Sequence, residues 1–322
     1  MNLESETRKG YLISAKMKKV WAVEMELLKK LLEVCEKYHL RIWAEGGTLL
    51  GTIRHHGYIP WDDDIDMAML REDYDKLQAI AKEEFKTPYF FQSGYTDLFP
   101  NGLSRIRKDG TAAIMDQAIN RNYHQGIFID IFPLDVMPDD EVLFKSFVKE
   151  KVYRKEQLLL GLESYYSFTN WKYDYLILKN KARIIIKGFH HCFSEYEHFI
   201  KQYNNTDNHR IAIISWRFDE RYLRERIWYK DTLYLPFEDI KMPVPSGYDN
   251  ILKKQFGDYM TPLKNPTEHG NFAILDSELS YKYYLPLLRN KKRRALRKEA
   301  FQIYRDKVKM IVKKIIHPLH LL

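Results

Sequence analysis

Ile127-Phe-Ile-Asp-Ile-Phe132 is an apolar run with one acid, Asp130, in its middle. Such a run reads as a buried strand, and a buried strand tolerates an unpaired carboxylate poorly, because the charge loses its hydration. The chain must fold so that something meets Asp130: a helix to cap, an arginine, or a cation shared with other acids. Acids and apolar residues also interleave in Asp62-Asp-Asp-Ile-Asp66, which leads into Met67-Ala-Met-Leu70. In a strand, side chains i and i+2 project from one face. Read as a strand, 64–70 places the carboxylates of Asp64 and Asp66 on that face, roughly 6–7 Å apart at Cα. Like charges at that separation repel, and a hard cation with oxygen ligands, Mg²⁺ or Mn²⁺, relieves the repulsion. We therefore expect Asp64, Asp66 and Asp130 to hold such a metal. Asp62-Asp63-Asp64 equally fits a solvated acidic turn, and a lone Asp-x-Asp is a weak metal signal. Two acid-bearing strands with a glycine pair upstream are more specific.

That pair is Gly46-Gly47, followed by Thr48 and a short helix expected over Thr48–Arg54. Glycines let the backbone approach a phosphate closely, and a helix N-terminus offers free N–H donors. An ordinary tight turn uses the same residues. Arg54 is expected to clamp a phosphate through its planar guanidinium. In the loop from His55 to Trp61, His55 reads as a surface residue, and His56 fits either a surface or a substrate role.

Elsewhere the pattern mixes helix and strand. Helices are expected over 14–39, 72–85, 140–160, 171–203 and 248–256, the last closed by Gly257. Strands are expected over 41–45, 89–92, 103–108, 112–115, 127–132, 211–216 and 233–236. The order lacks the regular alternation of a doubly wound sheet, so an α/β (α+β) catalytic domain with a mixed sheet and helical additions is expected. Among 322 residues, 45% are hydrophobic, enough for a sizeable core. No apolar run of about 18 residues and no apolar stretch after the N-terminal charges occur, so neither a transmembrane helix nor a secretory signal is expected. Two distant cysteines, Cys35 and Cys192, fit a reducing, cytoplasmic setting.

The three blocks that carry these residues resemble a known family. GGTLLGTIRHHGYIPWDDDIDMAMLREDY (46–74) is similar to the signature of LicD-type phosphotransferases, with fukutin-related proteins as more distant relatives. GIFIDIFPLD (126–135) resembles the second block, and PVPSGYDNILKKQFGDYMTP (243–262), followed by His269, resembles the third. The resemblance runs from about residue 25 to 275. It implies a nucleotidyltransferase-like fold in which a Gly-Gly turn and three acids surround a divalent metal. By position the acids are Asp64, Asp66 and Asp130, catalytic together with Arg54. Gly46, Gly47, Thr48, His56, Trp61, Tyr248, Tyr259 and His269 become the expected substrate-binding residues.

The implied reaction moves a phospho-alcohol, most typically phosphocholine from CDP-choline, onto a glycan or lipid-linked glycan hydroxyl and releases CMP. CDP-ribitol or CDP-glycerol as donor, a nucleotidyltransferase that releases pyrophosphate, and a non-catalytic partner in glycan assembly are the rivals. Were choline the group moved, Trp61, Tyr58, Tyr248 and Tyr259 would be candidates for an aromatic cage. They read equally well as core or rim aromatics.

The net charge of +8 is concentrated late: residues 289–314 hold twelve Lys or Arg and two acids, and the rest of the chain sums to −2. Residues 276–322 are thus expected as a basic amphipathic helical tail beyond a catalytic domain over 1–275. Lys298, Arg305, Lys309 and Lys313 share one face of that tail, opposite Leu296, Ala300, Ile303, Ile311 and Ile315. It could lie on an anionic membrane at the inner face of the plasma membrane, or pack on the body with a solvated basic face. No nucleic-acid module appears, and no nucleic-acid partner is expected.

Overall fold

The computed structural model describes residues 1–163, 170–215, 218–262 and 272–294, with positions 298 and 305. Strands β1 (Glu6–Arg8) and β2 (Tyr11–Ile13) form a hairpin ahead of helix α1 (Ala15–Lys37), whose N-cap Ser14 accepts from the Met17 amide. Val20, Leu27, Leu28, Leu31 and Val34 give α1 the buried stripe that its helical spacing predicts. Then follow β3 (Trp43–Ala44), α2 (Gly46–His55), β4 (Asp66–Leu70), α3 (Arg71–Glu84), β5 (Tyr89–Gln92), β6 (Ser104–Lys108), β7 (Ala112–Met115) and β8 (Phe128–Val136). Three helices come next, α4 (Glu141–Gly161), α5 (Trp171–Lys187) and α6 (Phe189–Ile200). The chain continues through β9 (Arg210–Ala212), β10 (Leu223–Glu225), β11 (Thr232–Phe237), β12 (Ile240–Pro245), α7 (Tyr248–Phe256) and β13 (Phe272–Asp276).

Seven described strands form one mixed sheet in the order β10-β9-β8-β4-β3, with β6 also on β8 and β5 on β6. The β4–β8 pair is parallel and its neighbours are antiparallel, which is the mixed α/β class expected. β8 is the hub. It runs beside β4 along one edge; along the other it pairs with β6 over 128–131 and with β9 over 135–136. Pro133 falls in the gap between those two partners, where its missing N–H leaves no ladder bond unmade. The expected strand over 127–132 therefore continues through the proline to Val136.

Alternation sorts the two faces. Met67, Met69, Ile129 and Ile131 are fully buried in the main core, with Trp21, Leu28 and Leu31 of α1 and Tyr74 and Leu77 of α3. Asp66, Phe128, Asp130 and Phe132 turn to the other face. A second core joins α4 and α6 through Phe144, Phe147, Phe193 and Tyr196.

Three expectations change. The single helix over 171–203 is two helices, broken at Gly188, whose φ of +83° is costly for any residue with a Cβ. Of the strand expected over 211–216, the described residues form β-structure only at Arg210–Ala212, and position 216 lies outside them. The hairpin before α1 and strands β10, β12 and β13 were not anticipated. The expected domain boundary falls at the end of β13, and the described residues directly after it pack on the body. Residues 281–294 are helical, Leu285 is buried against Ile114 and Ile119, and Arg289 donates to the Ile119 and Arg121 carbonyls. The rest of the expected tail helix, with Lys309 and Lys313, lies outside the described residues.

Candidate active site

Asp66 of β4 and Asp130 of β8 are register partners, and Arg105 of β6 is the partner of Asp130 on its other side. Three adjacent strands thus present Asp66, Asp130 and Arg105 in one row on one face. Arg105 donates from Nε and Nη2 to the two oxygens of Asp130, at 2.5 and 3.1 Å. Its guanidinium lies 3.9 Å from the centre of the Phe128 ring. The arginine is therefore the partner that the acid in the apolar run required. Sequence pattern did not single it out, because Arg105 reaches Asp130 only through strand pairing.

Above this row, the strand reading of 64–70 needs one correction: β4 begins at Asp66, and Asp64 lies in the extended segment before it. Asp64 and Asp66 nevertheless line the same cavity, of about 320 Å³, with Asp130. Asp62 and Asp63, which fitted a solvated turn, are buried. The carboxylates of Asp62, Asp63 and Asp64 bring oxygens within 4.8 Å of one another. The Trp21 indole donates to the Asp62 carbonyl, anchoring the triplet on α1. Burial, then the facing carboxylates of Asp64 and Asp63, pushes the Asp62 carboxyl well above the usual range. Burial, then Asp64, Asp130, Asp62 and Glu45, does the same to Asp66. Such crowding of acids is the electrostatic condition that a divalent cation relieves, and an all-oxygen donor set suits Mg²⁺ or Mn²⁺.

The glycine pair is fitted to this cluster. Gly46 has φ +51°, and a Cβ on Gly47 would lie 2.5 Å from Oδ2 of Asp62. Asp62 thus takes the space that a side chain at 47 would fill. The Thr48 hydroxyl accepts from the Asp66 amide at 2.9 Å, and the Glu45 amide donates to the Asp66 carbonyl, locking the start of α2 to β4. Glu45 lines the cavity, and its carboxylate is gripped by both terminal nitrogens of Arg224 and by Gln255 Nε2 at 3.1 Å. Arg224 and Glu45 are almost fully buried. The 243–262 block therefore reaches the site through Gln255 of α7, while Ile251 and Leu252 sit in the core.

Other expected residues are elsewhere. Arg54 is in the last turn of α2, about 12 Å along the helix from Gly46. It donates to the Tyr259 carbonyl at 2.8 Å and to the His55 ring, and it does not line the carboxylate cavity. His56 closes α2 in the left-handed region with φ +54° and is exposed. Trp61 packs edge-on against Tyr11 and His55, and Tyr58 is stacked on Trp21 in the core. Tyr248 starts α7, and the Tyr259 hydroxyl donates to Asp249. None of these four aromatics lines the carboxylate cavity. Its aromatic wall is Phe128, Phe132, Tyr222 and Phe272, with Met115 and Ile213. His269 lies outside the described residues.

A mixed sheet here presents acids from neighbouring strands beside a Gly-Gly helix start. Residues 39–165 match the family described as LicD/FKTN/FKRP, nucleotidyltransferase domain. The chain is 26% identical over 238 residues to the lipopolysaccharide cholinephosphotransferase LicD of Haemophilus influenzae, covering 70% of this chain and 84% of that protein. It is 40% identical over 109 residues to an uncharacterised protein of Rickettsia prowazekii, covering 34% of this chain and 37% of that one. It is 37% identical over 59 residues to the human ribitol 5-phosphate transferase FKRP, covering 18% and 12%. Residues 39–165 thus resemble this family, and the 238 residues aligned with the Haemophilus protein extend the likeness beyond them.

Proposed function

We propose that this protein is a metal-dependent transferase that moves a phospho-alcohol group from a CDP-alcohol donor to a glycan or lipid-linked glycan hydroxyl, with CMP as leaving group. The observation that carries the reading is the in-register pair Asp66 and Asp130 facing one cavity with Asp64, within the residues that match this family. The Haemophilus relative is a cholinephosphotransferase and the human one a ribitol 5-phosphate transferase, and phosphocholine is the group we favour here.

Asp64 and Asp66 would hold Mg²⁺ or Mn²⁺, with Asp130 as a third ligand. A carboxylate has about four lone-pair positions, so Asp130 can ligate while keeping Arg105. A bound divalent ion would neutralise charge on the donor phosphates, the main requirement of phosphoryl transfer. The chain's own residues supply the remainder. Arg105 stands beside Asp130 where a phosphoryl oxygen can reach its guanidinium. Gly46 and Gly47 keep the α2 N-terminus bare of side chains, so that backbone N–H groups can meet a phosphate. Phe132, Tyr222 and Phe272 line the cavity as partners for a quaternary ammonium, while the Phe128 ring already carries the Arg105 guanidinium. A cytoplasmic location, with peripheral contact of the basic tail at an anionic membrane, completes the proposal.

The test is incubation with Mg²⁺ or Mn²⁺ and a panel of CDP-alcohols, reading CMP against pyrophosphate. CMP release from one donor, abolished by EDTA and by Asp64→Ala, is expected. Pyrophosphate release from a nucleoside triphosphate would replace the reading with a nucleotidyltransferase. Wild-type turnover by Asp64→Ala would remove the metal assignment.

A further inference from the structure

Helix α5 carries its apolar stripe on the wrong side for a helix that is only a scaffold. At about 100° per residue, Trp171, Tyr175, Leu178, Ala182, Ile185 and Ile186 fall on one face. Ile177 and Asn180, buried, and Ile184, against Gly161, mark the opposite, inward face. The stripe is exposed along the whole helix: Trp171 is 73% exposed, Ile185 80% and Ile186 82%. Scattered surface apolar residues are normal, but a continuous stripe marks an interaction surface.

Charge decides what meets it. The helix holds Lys172, Lys179, Lys181, Arg183 and Lys187 against one acid, Asp174. Lys172 and Lys179 border the stripe directly by the same projection. Arg183 and Lys187 are paired with Glu195 of α6, which offsets one of the five charges. A basic rim repels an identical basic rim, which disfavours a second copy of this chain. It also disfavours the chain's own residues 289–314, which carry twelve basic residues and two acids. An anionic bilayer offers what the helix lacks, negative charge at the rim and hydrocarbon beneath it. Trp171 and Tyr175 at one end add the amphipathic rings suited to the headgroup level.

We propose that the outer face of α5 is a membrane-docking surface for anionic lipid, separate from the C-terminal basic segment and independent of what the carboxylate cavity transfers. The test is flotation of the full chain with phosphatidylcholine vesicles, with and without phosphatidylglycerol. Flotation only with the anionic vesicles is expected. In Ile185→Asp/Ile186→Asp, whose side chains are 80% and 82% exposed among the described residues, partition should fall at least about tenfold. Lys172→Glu/Lys179→Glu should lower it at low salt, with an unchanged melting temperature in both variants. Failure of the wild-type chain to float, or wild-type flotation by the isoleucine variant, would overturn the proposal. So would sedimentation showing a dimer that the isoleucine variant dissociates, since a second copy would then cover the stripe.

Discussion

Asp66 and Asp130 are paired across a parallel ladder, yet their surroundings differ: Arg105 bonds both oxygens of Asp130, while Asp66 faces Asp64, Asp62 and Glu45 as well as Asp130. Asp66 is thus the acid whose charge most needs a cation. Its raised pKa sets the sign of a pH effect. An unfolded aspartate titrates near about 3.9. A group raised above that value in the folded state stabilises fully below the unfolded value, and the contribution is lost as pH rises through the folded value. The metal-free protein should therefore lose stability as pH rises above about 4, by more than Asp66→Asn does. Mg²⁺ or Mn²⁺ at about 100 times its dissociation constant should restore about 2.7 kcal/mol in the wild type and far less in the variant. Melting curves against pH, with and without metal, check this. The same variant should lose at least about a hundredfold in donor turnover.

Arg54 gives a contrasting expectation. Its guanidinium spans from α2 to the Tyr259 carbonyl, away from the carboxylates. Arg54→Ala should cost about 1–3 kcal/mol in stability through the lost charged hydrogen bond, while KM for the donor stays within about threefold. A selective rise in KM with unchanged stability would return Arg54 to the donor site. Urea titration beside donor kinetics separates the outcomes.

What could be read from sequence follows the range of the forces involved. Asp64, Asp66 and Asp130 were legible because an acid in an apolar run is a local contradiction that demands a partner. α1 and α7 were legible because local spacing and a closing glycine set them. Arg105 and Arg224 were not, since each meets its acid only after distant segments pair, 25 residues away for Arg105 and 179 for Arg224. The cavity aromatics fail in the same way. Trp61, Tyr58, Tyr248 and Tyr259 stood near the motifs, but Phe128, Phe132, Tyr222 and Phe272 reach the acids through strand alternation and long-range packing. β10 is only three residues long, and β12 contains Pro243 and Pro245, so neither gives a local strand signal.

The Glu45–Arg224 pair should be a structural pivot. Arg224 is fully desolvated and shared by Glu45 and the Tyr229 hydroxyl. Removing one partner leaves a buried charge unpaired, so Arg224→Met should destabilise by about 3–5 kcal/mol. Glu45 sets the entry to the glycine helix, so metal affinity should weaken along with stability. Calorimetry paired with Mn²⁺ titration reads both effects.

Gly51 explains why the motif carries a third glycine. A Cβ there would lie 2.5 Å from the Gly57 carbonyl oxygen, a backbone atom that cannot swing aside. Gly51→Ala should cost about 1–3 kcal/mol through this clash. Its effect on the chemical step should be small, because Gly51 is a turn removed from Gly46 and Gly47. Chemical denaturation should show the loss, and kcat at a permissive temperature should remain within about threefold of wild type.

Tyr222 is the sharpest test of the group transferred. It lines the acid cavity, is half-buried, and the pKa of its hydroxyl is raised by burial and then by Glu45 and Asp66. The ring therefore stays neutral at physiological pH, with its face available to a cation. A quaternary ammonium on that face gains about 0.5–2 kcal/mol, equivalent to about 2- to 30-fold in binding. Tyr222→Ala should raise KM for CDP-choline within that range and leave KM for CDP-ribitol or CDP-glycerol nearly unchanged, while Tyr222→Phe should keep most of the choline affinity. Competition between the donors in one assay gives the ratio directly. If Tyr222→Phe instead loses as much as Tyr222→Ala, and the polyol donors suffer most, the hydroxyl is the recognising group and a polyol phosphate is the cargo.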